Sequence, residues 1–151
     1  MKIKAVLWLK IFNGLLLAMG WILAVYAYPR LPHVMPFWLN FSGQPVLLMN
    51  KSPLFFIYPA AQIIFFFVFL WAASRFGAGR SQREKENANR EFVYLALIFF
   101  NLIFIHIQRS LILLAHGIEK GVDKLYFISL LGILLLLIPF YRLRSKILPR
   151  E

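Results

Sequence analysis

Four long apolar runs dominate the chain, at residues 5–28, 54–73, 92–115 and 125–141. A helix needs about 20 mainly apolar residues to cross a bilayer, and each run meets or approaches that length. The fourth is the shortest; Tyr126, Tyr141 and Arg142 stand where interfacial residues would anchor its ends. A segment in hydrocarbon must satisfy its own backbone N–H and C=O groups, so the runs read as helices. Of the 151 residues, 61% are hydrophobic and 15% charged. A chain this short has too high a surface-to-volume ratio to hide so much apolar surface inside itself. The expected fold is all-α and integral to the membrane: one domain over 1–151, built as a four-transmembrane-helix bundle.

The formal net charge is +11, and the basic residues sit in short clusters beside the apolar runs. There they set topology and meet anionic headgroups. No nucleic-acid motif accompanies them, so nucleic acid is not an expected partner. Lys2 and Lys4 precede the first run. Arg75, Arg80, Arg83, Lys85 and Arg90 lie between the second and third, and Arg142, Arg144, Lys146 and Arg150 follow the fourth. The other two loops carry only Arg30 and Lys51, and Lys120 and Lys124. Eleven basic residues against four place both termini and the middle loop in the cytoplasm. The opening MKIK, the apolar run and Val25-Tyr26-Ala27 loosely resemble a cleavable signal peptide. The longer apolar region and the following Pro29 favour an uncleaved first helix.

The segment 28–53 is nearly as apolar as a span but holds five prolines. Pro29, Pro32 and Pro36 each remove a backbone donor and restrict the residue before them. The segment therefore lies at the outer surface or packs on the protein, with Phe37, Trp38 and Phe41 at headgroup level. The stretch 42–45, Ser-Gly-Gln-Pro, reads as a turn between VMPFWLNF and VLLM, which makes a short hairpin the expectation. Ser52 is placed to cap the second helix and Pro53 to open it, while Pro59 is expected to kink it. Between the second and third runs, GAGRSQREKENANR reads as a solvated connector. Asn87 or Asn89 would cap the third helix, with Glu91 in its first turn.

The order Leu31-Pro32, Met35-Pro36, Asn40, Gly43, Pro45 and Lys51, set between two membrane helices, resembles the bacterial domain of unknown function 1648. That domain also forms the N-terminal part of the sporulation-delay toxin immunity proteins. Asn89-Arg90-Glu91 and Gln108 are similar to positions in the family's small stand-alone members. The resemblance implies a structured outer loop, and envelope signalling or toxin immunity as the role. Trp38 stands where the family has histidine, and Val46 where it has aspartate. Any metal, proton or polar-ligand role of those two groups is therefore not carried over.

The third run holds Asn101, His106, Gln108 and Arg109. Polar groups inside spans are functional hypotheses by default. Offsets of seven and eight residues suggest one face for Asn101, Gln108 and Arg109. His106 flanks that face, His116 extends it, and Asn13 and Gln62 can meet it from the first two helices. One reading is a small pocket beneath the proline-rich loop, for a peptide, a lipid headgroup or an ion. The other is hydrogen bonding between helices, with Arg109 snorkelling to the headgroups.

The chain has no cysteine, so disulfides and thiol chemistry are excluded. The four apolar runs contain no acidic residue, which removes paired-carboxylate catalysis and carboxylate-driven transport. His106 and His116 lie about 15 Å apart on one helix and cannot grip one haem iron from both sides. No catalytic residue, metal or cofactor is expected. The functional expectation is a non-enzymatic protein of the bacterial cytoplasmic membrane, in lipid, with a protein partner or a second copy of itself. The alternatives are an accessory subunit of a larger membrane complex and, third, an oligomeric transporter component.

Overall fold

The computed structural model describes residues 2–40, 43–75, 83–121 and 124–147. Helix α1 (Lys2–Ala27) ends in a 3-10 turn, Tyr28–Arg30, where Pro29 stops regular α winding. Strands β1 (Val34–Leu39) and β2 (Pro45–Asn50) follow. A second 3-10 turn, Pro53–Phe56, leads into α2 (Ile57–Arg75), then α3 (Arg83–Ala115) and α4 (Lys124–Ile147). Among the described residues, four segments are long and apolar enough to cross a membrane: Ala5–Arg30, Pro53–Arg75, Asn87–Ala115 and Lys124–Leu143. They mark a multi-pass membrane protein.

Helix α3 is the centre of the array. It packs on α1, α2 and α4, and α1 also packs on α2. With 33 residues it runs about 50 Å, well beyond the hydrocarbon thickness of about 30 Å. Its polar end, at 83–90, was expected to be a connector. Arg, Glu, Lys and Ala are good helix formers even in water, so the helix simply continues through them. Asn87 and Asn89 consequently lie inside α3 rather than at its cap. Glu91 is not in the first turn: it lies two turns in and is buried. It also belongs to the apolar segment Asn87–Ala115, which corrects the acid-free reading of the spans. The rest of the expected connector, at 76–82, lies outside the described residues.

The expected hairpin is present. β1 and β2 pair antiparallel, from Val34 opposite Asn50 to Leu39 opposite Pro45. The register shifts between Pro36 and Trp38, leaving Phe37 out of the ladder as a bulge. Phe41 and Ser42, at the tip, lie outside the described residues. Ser52 does occupy the N-cap position before Pro53, but its side chain makes no cap hydrogen bond. The irregular winding falls in the 3-10 turn Pro53–Phe56. Pro59 is in the first turn of α2, where a missing N–H leaves no acceptor waiting.

Two apolar clusters tie the elements together. At the hairpin end Ala24, Leu31, Met35 and Phe55 are buried together, with Tyr28, Phe56, Ile112 and Ala115 against them. At the far end Ala73, Val93 and Tyr94 pack with Val6, Leu9 and Phe69. Between them Phe65 stacks on Phe100 at 5.4 Å and joins α2 to α3.

Candidate functional site: a fastened hairpin above buried amides

The motif residues of the proline-rich segment divide into those that shape the hairpin and those that fasten it. Asn40 and Gly43 shape the tip. The Asn40 Oδ1 accepts from the Gln44 N–H at 2.9 Å, and the Gly43 N–H donates to the Asn40 carbonyl at 2.9 Å. Gly43 has φ 77°, a conformation that other residues adopt only with strain. The third loop comes close to this turn: a Cβ at Gly121 would sit 3.2 Å from the Gly43 carbonyl oxygen. Pro36 is buried in β1 opposite Leu48, and Pro45 opens β2 opposite Leu39. Pro32 lies in the half-buried link between the 3-10 turn and β1.

Three fastenings hold the hairpin to the helix ends. The Lys51 ammonium donates to the carbonyl oxygens of Pro29 at 2.9 Å and Leu31 at 3.3 Å. The Tyr58 hydroxyl donates to the Phe37 carbonyl at 2.6 Å, which the bulge leaves free of the ladder. The His116 ring places Nε2 3.1 Å from the Arg30 carbonyl and Nδ1 2.8 Å from that of Ile112. Tyr58 went unremarked in the sequence because it sits within an apolar run. Only the bulge opposite gives it a partner.

Below the hairpin the buried amides of three helices meet. The Asn101 amide donates to the Asn13 Oδ1 at 3.0 Å. The Gln62 amide lies 3.4 Å from both the backbone oxygen and the Oδ1 of Asn101. Asn13 in turn donates to the carbonyls of Leu9 and Tyr94, at 2.8 and 3.0 Å. All three side chains are fully buried. A further participant was not legible in the sequence: a Cβ at Gly20 would collide with the Gln62 carboxamide, so glycine there gives α2 its close approach.

The structure separates Asn101, His106, Gln108 and Arg109 on α3. Asn101 and Gln108 are fully buried, while Arg109 is exposed. Seven residues return a helix to within about 20° of the starting direction, whereas eight overshoot it by about 80°. Gln108 thus follows Asn101 inward, and neither polar atom of its carboxamide finds a hydrogen-bond partner among the described residues. Arg109 joins His106 on the α4 side instead. The two line a cleft with Glu119 and Tyr126, where the His106 ring lies over the Tyr126 ring at 4.2 Å. At the far end Glu91 borders an apolar groove with Trp8, Phe12 and Tyr141. Among the described residues, no three His, Asp or Glu side chains gather as metal ligands would.

Residues 15–63 match the family model described as Domain of unknown function (DUF1648). That stretch carries the DUF1648 domain. The DUF1648 segment runs from the middle of α1 through the whole hairpin into α2. It contains Asn40, Gly43, Lys51 and Tyr58, the hairpin's own turn and two of its fastenings, together with Gly20 and Gln62. Asn13, Asn101, Gln108 and Arg109 lie outside it. No curated protein and no solved structure matches the chain.

Proposed function

We propose that this is a non-enzymatic protein of the bacterial cytoplasmic membrane that recognises a partner through its hairpin. Both termini lie in the cytoplasm and the hairpin outside, and the role is of the envelope-signalling or toxin-immunity kind. The observation that carries the reading is the state of β2. Val46 and Leu48 are each 62% exposed, and the strand packs little of itself on the protein's own helices. Trp38 on β1 is 61% exposed. An apolar ribbon whose foot and bulge are hydrogen-bonded to helix ends is a preorganised surface. Such a surface loses little conformational freedom when a partner covers it. The free edge of a two-stranded sheet also offers unpaired backbone groups to an added strand.

The test places a photo-crosslinking residue at Leu48 in native membranes. The expected result is one discrete cross-linked protein, either another chain or a second copy, lost in Trp38→Ala although the protein still inserts. Cross-links to lipid alone would overturn the reading. Recovery of the chain as a fixed component of a larger complex, with Trp38→Ala without effect, would assign it an accessory role instead.

A further inference from the structure

We propose that the cleft between the end of α3 and the start of α4 binds the headgroup of an amine-bearing phospholipid. Arg109 would hold the phosphate and Glu119 the ammonium. This cleft is lined by α3, α4 and the loop between them, and by no residue of the hairpin.

Arg109 lies six residues before the end of α3, about 9 Å along the axis from Ala115, within the segment Asn87–Ala115. Its side chain is exposed there, and it has no hydrogen bond or ion pair among the described residues. An exposed side chain at that depth has lipid as its surroundings. A guanidinium is costly in such a place unless something anionic meets it. Its planar fork of donors matches phosphate oxygens two at a time.

Glu119 supplies the opposite charge. It lines the same cleft yet forms no ion pair with Arg109. The two opposite charges are thus placed to receive two ends of a ligand rather than each other. Glu119 lies in the loop before α4, outside the four apolar segments, whereas Arg109 lies inside one of them. In an amine-bearing phospholipid the phosphate is likewise the deeper group and the ammonium the outer one. The rings of His106 and Tyr126, tilted against each other with centroids 4.2 Å apart, make an aromatic wall, with Tyr126 39% exposed. The cleft measures about 410 Å³, within the roughly 300–1,000 Å³ of small-molecule sites. A headgroup with no amine would bring its phosphate to this cleft without a partner for the Glu119 carboxylate.

The test is native mass spectrometry of the full chain, stripped of lipid in detergent. It is offered phosphatidylethanolamine or phosphatidylglycerol with identical acyl chains. Phosphatidylethanolamine should bind about tenfold more tightly, the scale of one charge-assisted hydrogen bond. Arg109→Gln should weaken both lipids, and Arg109→Lys should restore part of the loss. Glu119→Gln should erase the preference while leaving phosphatidylglycerol unchanged. Both side chains are at least partly exposed, and retained helicity and elution volume check the fold of each variant. Equal binding of the two lipids, or a preference that survives both Arg109→Gln and Glu119→Gln, would overturn the proposal. So would O-phosphoethanolamine competing as well as the lipid, since it would assign a soluble phosphoester to the cleft.

Discussion

Asn101 donates to Asn13 at 3.0 Å across 88 positions of sequence, and that one bond joins the centre of α3 to α1. Asn13 is held from its other side by the carbonyls of Leu9 and Tyr94. Truncating either partner strands the other in a dry interior, so single and double changes should differ. Hydrogen bonds between membrane helices contribute about 0.6–2 kcal/mol each. A double-mutant cycle of Asn13→Ala and Asn101→Ala, read by unfolding in mixed micelles, should give a coupling in that range. Additive losses would show that the bond carries no coupling.

Gly20 is a second test of the same region. Alanine there should push the Gln62 carboxamide away from Asn101, with a loss of about 1–3 kcal/mol as in other overpacked interiors. Shortening Gln62 to alanine in that background should return part of the stability. The recovery, measured in the same unfolding assay, distinguishes this collision from a general intolerance of α1 to substitution.

At the hairpin tip, Gly43→Val forces a branched residue into a left-handed conformation and should cost about 1–2 kcal/mol. Asn40→Ala removes only the bond to the Gln44 N–H and should cost less. Amide exchange is the direct readout. Protection of the Asn40 and Gln44 amides should fall in both variants, while α1 and α3 keep theirs.

The fastenings at the hairpin foot predict local loosening. Lys51→Met removes the donor to Pro29 and Leu31, and Tyr58→Phe removes the one to Phe37. Each should cost about 1 kcal/mol and raise amide exchange in the hairpin. A neutral His116 ring has one N–H and faces two carbonyl oxygens, so it can donate to only one of them at a time. His116→Ala should therefore loosen the foot less than Lys51→Met, which limited proteolysis near Arg30 would show.

The sequence made some of this architecture legible and hid the rest for physical reasons. Apolar length reports directly on the bilayer, so the four spans were readable. The hairpin was readable because Gly43, Pro45 and the apolar runs around them act locally. The start of α3 was not, because a helix leaving the membrane loses its apolar signal while keeping its helix-forming residues. Asn13, Gln62 and Asn101 were recognisable as candidates to meet, since polar groups in spans seek one another. Gln108 and Arg109 were placed together although neighbouring residues point about 100° apart on a helix. Gly20 and Tyr58 depend on which elements meet at which level, and no local pattern reports that.

The amide junction also gives synthesis an order. Helices α1 and α2 leave the ribosome before Asn101 exists. Asn13 has its local bond to Leu9 at that stage, while the carboxamide of Gln62 awaits both of its acceptors on Asn101. The first helical pair is therefore unfinished in lipid, and the arrival of α3 closes it. A truncated or wrongly inserted chain would leave the Gln62 N–H donors without these acceptors inside the bilayer.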